Sequence, residues 1–173
     1  MKHAWMICAL LTGVTASVSH ADCLDDAARF HHVSARLVHA IATVESGQHP
    51  DAVHVNADGT SDIGLMQINS RWLSTLSRFG ISRAGLNDSC TNAYVGAWIL
   101  SQNIHRLGLT WDAVGAYNAA TQSYRIAYAR RVYRQLFAAP VPVSIQPDAV
   151  DRASPVPGLV AKLFQPVAWG NGR

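Results

Sequence analysis

Glutamate is all but absent from this chain. Of its 11 acidic residues only Glu45 is a glutamate, and charged residues of both signs make up 14% of the 173 positions. With 49% apolar residues against so little charge, the chain reads as globular, with room for one domain with a proper core plus an extension. Long hydrophobic runs are missing too. The stretch from Ala4 to Ala16 is mostly apolar but falls short of the ~20 residues that a membrane span needs. It follows the basic start Met1-Lys2-His3 and precedes Ser19-His20-Ala21, which offers small residues at the two positions a signal peptidase reads. Residues 1–21 are therefore expected to be a signal peptide cut after Ala21, with a retained anchor as the alternative. Removal leaves 173 − 21 = 152 residues, takes Lys2 away and lowers the formal charge from +3 to +2. That charge is too slight to point to nucleic acid.

Cysteine is scarce. Cys8 leaves with the signal peptide, and only Cys23 and Cys90 remain. Two cysteines in an exported chain usually pair, so a Cys23–Cys90 disulfide is expected, with two separate buried thiols as the alternative. No Cys-His pattern accompanies either residue, which argues against a catalytic thiol. Metal-ligand spacing is also missing. The chain has eight histidines, but His31, His32 and His39 on early helices form no HExxH. Asn56, Asp58 and Asp62 lack the downstream glutamate of an EF-hand. No cofactor or metal is expected.

Proline is nearly excluded from the body of the chain. Six of the seven prolines lie from Pro140 onward, where apolar periodicity ends. Residues 139–173 are expected to form a Pro-rich, flexible tail, with Leu159 to Phe164 as a possible docking segment. Before it, Cys23 to Phe137 reads as a run of helices. The first covers Leu24 to His31. Ser34 caps a second, with Leu37, Val38, Ile41 and Val44 at helical spacing up to Glu45 and Gly47 and Pro50 as stops. Val53 to Ile63 carries turn chemistry and a small hairpin. A third helix is expected from Asn69 to Gly80, a fourth from about Asp88 to Leu107, a fifth from Thr110 through Tyr117 and a sixth from Thr121 to Phe137. Arg125, Arg130, Arg131 and Arg134 on the last helix read as a solvated face. Trp72, Trp98 and Trp111 fall within helices, where packing is the default and one of them can wall a sugar site.

Glu45 lies four residues after Ile41 and seven after Val38, which places its carboxyl on the apolar face of the second helix. It also sits in the last turn, where the helix dipole disfavours a second negative charge. Both effects raise a carboxyl pKa, and a general acid for glycoside cleavage needs that property. The alternative is an exposed glutamate at a frayed helix end.

Three motifs in order favour the first reading: Glu45-Ser46, Gly64-Leu65-Met66-Gln67-Ile68-Asn69 and Ala116-Tyr117-Asn118-Ala119. Together they resemble the signature of lytic transglycosylases with a lysozyme-like fold. More specifically, they resemble small secreted members that accompany type III or type IV secretion, conjugation and pilus machines. The resemblance covers about Cys23 to Phe137. It implies a mainly α fold of the lysozyme-like, goose-lysozyme or SLT type over residues 22–138, with a small turn-rich or hairpin loop. It implies Glu45 as the acid and base. Ser46, Gln67, Asn69, Tyr117 and Asn118 are assigned to the sugar-binding side, Ser46 and Asn118 chiefly as supports. Tyr117 matches the tyrosine that projects towards the glutamate. The family motif usually continues with glycine where Ala120 stands, which would strain the turn if the position needs positive φ.

Most glycosidases use two carboxylates, but the aspartates nearest in sequence, Asp51, Asp58 and Asp62, lie in or beside the polar loop. A lytic transglycosylase needs only one, because the muramyl C6 hydroxyl is the nucleophile and closes a 1,6-anhydro ring. The expected function is thus cleavage of the MurNAc-GlcNAc β-1,4 bond of peptidoglycan, opening the wall for a secretion, conjugation or pilus apparatus. The alternatives are a lysozyme-type muramidase using Asp58 or Asp62, and a weakly active wall-binding assembly factor. The expected partners are glycan strands and components of such an apparatus. A periplasmic or secreted monomer without a stable membrane span is expected.

Overall fold

The computed structural model describes residues 19–138. The segment before Ser19 and the Pro-rich tail, with the expected docking stretch Leu159 to Phe164, lie outside the described residues. The described residues form α1 (His20–Phe30), α2 (Ala35–Ser46), three short strands and four more α-helices. The strands β1 (Val53–Val55), β2 (Ser61–Ile63) and β3 (Ile68–Asn69) make one antiparallel sheet in the order β1-β2-β3. Val53 pairs with Ile63, and Asp62 with Asn69. After them come α3 (Leu73–Leu76), α4 (Ser89–Leu107), α5 (Trp111–Gly115) and α6 (Gln122–Phe137).

Local sequence explains most of the helix ends. The Ser34 side chain accepts the Leu37 amide, and Gly47 closes α2 in the left-handed region at φ +63°, its N–H returned to Ala42 and Thr43 carbonyls. Asp88 caps α4 through the Thr91 amide, and Thr110 caps α5 through the Ala113 amide. The first helix begins earlier than expected, at His20, because Ser19 and Asp22 form a reciprocal capping box. The expected cut after Ala21 falls in this first turn. The fifth helix ends sooner than expected: at Tyr117 and Asn118 the amides bond three residues back, to Val114 and Gly115, and the helix tightens into a turn.

The third helix departs most from expectation. Instead of one rod from Asn69 to Gly80, only Leu73–Leu76 is α-helical, between 3₁₀ turns at Ser70–Trp72 and Ser77–Phe79. The Ser74 and Ser77 hydroxyls bond the carbonyls of Arg71 and Ser74, three residues back, and compete with the regular ladder.

The core gathers on α4, which buries nine residues from Asn92 to Asn103. Helices α1 and α5 pack against α4, and α6 packs on both α2 and α5. A disulfide joins Cys23 on α1 to Cys90 on α4, as expected. Glu45 at the end of α2, the sheet, α3, α4 and the α5–α6 turn together line a cleft. Among the described residues no helix is long and apolar enough to cross a membrane.

Candidate active site

The cleft has a volume of about 1310 Å³, and Glu45 lines it from the last turn of α2. The residue's position follows from its helix: Leu37, Val38, Ile41 and Ala42 are buried, so the next turn of the same face must look into the protein. Burial pushes the Glu45 carboxyl up to about 7, and the negative charge of Asp62 adds to the rise. Two groups oppose it: the Tyr128 hydroxyl, which donates to Glu45 Oε1 at 2.5 Å, and the positive charge of Arg131. The Arg131 guanidinium also lies 5.3 Å above the Tyr128 ring.

Ser46 does not line the cleft. Its hydroxyl donates to the Leu65 carbonyl at 2.7 Å and to Ala42 at 3.3 Å, which ties the end of α2 to the loop after β2. That loop is built on Gly64, at φ +76°, where an added Cβ would sit 2.4 Å from the Asn92 carboxamide. Asn92 is fully buried on α4. It accepts the Met66 amide at 2.7 Å and donates to the carbonyls of Ile63 and Leu86. Gln67 follows at φ +48°, a conformation unusual for a non-glycine residue, and its carboxamide donates to the carbonyls of Ala52 and Gly64.

Gln67, Asn69, Tyr117 and Asn118 all line the cleft with Glu45. Tyr117 stands half-buried, its ring stacked on that of Tyr128 at 6.3 Å, and its hydroxyl donates to the Met66 carbonyl at 2.9 Å. The phenol on the glutamate is thus that of Tyr128, not of Tyr117. Burial and the charge of Glu45 keep both phenols far above their ordinary pKa, so both remain donors. Ala120 does not have positive φ, so alanine is accommodated there without strain.

The two aspartates considered as second carboxylates are both engaged. Asp62 accepts the Asn56 and Asn69 carboxamides at 3.0 and 2.7 Å, one on each oxygen. Asp58 accepts the Thr60 hydroxyl and pairs with Arg71 at 2.7 Å; these contacts hold its pKa below the usual range. Among the described residues no group of three histidine, cysteine or acidic side chains is placed to hold a metal. Of the tryptophans, Trp72 lines the cleft, with its ring edge-on to Trp98 at 5.5 Å, while Trp111 packs against Tyr133 on another face.

Sequence reasoning missed Tyr128, which is 1% exposed and lies 83 residues from Glu45. A signal existed: with Ala129 and Val132 it lies on the apolar stripe of α6, where a hydroxyl needs a partner.

Comparison with known proteins adds a family. The model of the Transglycosylase SLT domain matches residues 22–135. The invasion protein IagB of Salmonella typhi is 38% identical over 125 residues, which is 72% of this chain and 78% of that protein. The X polypeptide of Escherichia coli is 36% identical over 137 residues, covering 75% and 81%. Protein IpgF of Shigella flexneri is 37% identical over 123 residues, covering 68% and 81%.

Proposed function

The chain belongs to the transglycosylase SLT domain family, and from that premise we propose that it cleaves the MurNAc-GlcNAc β-1,4 bond of peptidoglycan with formation of 1,6-anhydromuramic acid. The observation that carries this reading is the buried Glu45 carboxyl, raised to about 7, in a cleft whose two other lining carboxylates, Asp58 and Asp62, are tied up in hydrogen bonds and an ion pair.

Glu45, protonated, gives its proton to the glycosidic oxygen as the bond to the muramyl C1 breaks. Positive charge at C1 is met by the substrate's own N-acetyl group, a recognised alternative to a second carboxylate. The Glu45 carboxylate, held by the Tyr128 hydroxyl, then takes the proton from the muramyl C6 hydroxyl as C6–O closes on C1. The proton returns to Glu45, and no water is consumed. Because the nucleophile is part of the substrate, the site needs to orient a sugar instead of activating a water. Gln67, Asn69, Tyr117 and Asn118 line the groove in which that sugar would lie, and Trp72 offers an aromatic wall. Ser46 supports the site from behind through Leu65.

The name of the Salmonella relative, an invasion protein, supports a task in opening the wall locally for a secretion, conjugation or pilus apparatus. Export by a signal peptide over residues 1–21 is part of the same proposal, and N-terminal sequencing of the mature protein should then begin at Asp22.

The test of the chemistry is digestion of peptidoglycan sacculi by the purified protein and by Glu45→Gln, with the soluble fragments read by mass spectrometry. Fragments ending in 1,6-anhydromuramic acid, absent with the variant, are expected. Reducing-end fragments one water heavier would make the protein a muramidase and return attention to Asp62, whose charge reaches Glu45.

A further inference from the structure

The cleft has a side branch that the reaction above does not use. Trp72, Ile99 and Tyr117 line both spaces, and the branch opens into a cavity of about 520 Å³ walled by Gln102, Asn103 and Arg106 near the end of α4. That is the size of a site for a small ligand. It is lined on one side by apolar and aromatic side chains and on the other by Gln102, Asn103 and His105, with the Arg106 guanidinium where the branch meets the cleft.

The cations of the cleft are not equivalent. Arg71 is paired with Asp58 at 2.7 Å and Arg125 with Asp112 at 3.2 Å. Arg106 meets no carboxylate among the described residues; its Nη2 donates to Asn103 Oδ1 at 3.0 Å. Asn103 is itself buried, and its Nδ2 finds no acceptor among the described residues. A buried donor without an acceptor weakens a fold, so an asparagine held this way calls for a compensating use. Its use here is geometric. The carboxamide fixes the guanidinium in the wall shared by cleft and branch, where no acid among the described residues neutralises it.

A short peptide with a free carboxylate fits such a branch, and a guanidinium is the natural partner for that group. Glycan strands of the cell wall carry such peptides, one on the lactyl group of a muramyl residue, pointing away from the sugar chain. We propose that the branch is a peptide-stem subsite in which Arg106, oriented by Asn103, pairs with a stem carboxylate and makes peptide-bearing strands the preferred substrate over bare glycan. The proposal rests on the glycan-cleaving reading of the cleft and narrows its substrate class.

The experiment compares initial rates on soluble glycan strands that keep their stems with rates on the same strands stripped by an amidase, for the wild type, Arg106→Gln and Arg106→Lys. The wild type should prefer stem-bearing strands, and added salt should erode that preference. Arg106→Gln should raise KM on stem-bearing strands about tenfold, with a much smaller change in kcat, and so collapse the ratio of the two rates. Arg106→Lys should recover part of it. Equal wild-type rates on both substrates would overturn the subsite, and so would an Arg106→Gln loss of the same factor on both. Wild-type protein that releases no anhydro-ended product from either substrate would overturn the reading of the cleft itself.

Discussion

At the scale of single residues, the chemistry depends on how the fold treats one carboxyl. Glu45 holds its proton up to about 7, against 4.5 for an ordinary glutamate. As the acid of the first step it must be protonated, so kcat/KM should fall as pH rises through about 7, read from initial rates across pH 5 to 9. The same shift bears on stability. Between 4.5 and 7 the folded state keeps a proton that the unfolded chain has lost, so the contribution is whole below that window and gone above it. Glu45→Gln, which keeps an acceptor for Tyr128, should therefore melt higher than the wild type at pH 8, with the gain shrinking towards pH 4.5. At 1.36 kcal/mol per unit the gain is at most about 3 kcal/mol, and water in the cleft reduces it. Tyr128 acts through Glu45 as a positioning residue. Its hydrogen bond lowers the Glu45 pKa, so Tyr128→Phe should move the alkaline limb of the pH profile upward and cut kcat by roughly tenfold or more. A loss of rate with the limb unmoved would show that the hydroxyl serves packing alone.

At the scale of elements, the site is held together by a few polar side chains that bond backbone across element boundaries. Asn92 on α4 is the chief of them, since its three hydrogen bonds join the strand β2, the loop after it and the turn before α4. Asn92→Ala would strand two carbonyls and an amide in the interior, each costing ~1–3 kcal/mol. A loss of about 3 kcal/mol or more is expected in urea unfolding of the purified variant. Gly64→Ala should also destabilise, because the position combines positive φ with a Cβ that would collide with Asn92. In both variants the damage should fall first on activity, since the displaced loop carries Gln67 and the carbonyl that holds Tyr117.

At the scale of the molecule, the disulfide closes a span of 67 residues, from α1 to the start of α4. That loop contains Glu45, the sheet and the loop with Gln67. On the chain-entropy model such a cross-link contributes roughly 4 kcal/mol by restricting the unfolded chain, with native strain reducing it. Reduction, or Cys90→Ser, should lower the denaturation midpoint by a corresponding amount, measured with and without reductant. Cleavage after Ala21 would remove Ser19, which caps α1, and leave Cys23 to tether that end of the helix.

The sequence by itself determined what depends on neighbours along the chain. Ser34, Asp88 and Thr110 mark helix starts because a cap acts within three residues. Glu45 stands out because it is the sole glutamate and because helical period puts it on the buried face. The three motifs identify the family for the same reason: each is a short local pattern. Tertiary structure alone decided what depends on residues far away in sequence. It set the hydroxyl of Tyr128 on Glu45 and that of Tyr117 on Met66, a distinction that no spacing reveals. It tied Asp62 between two asparagines, broke the third helix through its serines, and set Arg106 on Asn103 with no acid beside it among the described residues. The reason is physical. Helical period and caps are set by torsions and short-range hydrogen bonds, whereas the charge state and partner of a side chain are set by whatever the fold packs beside it.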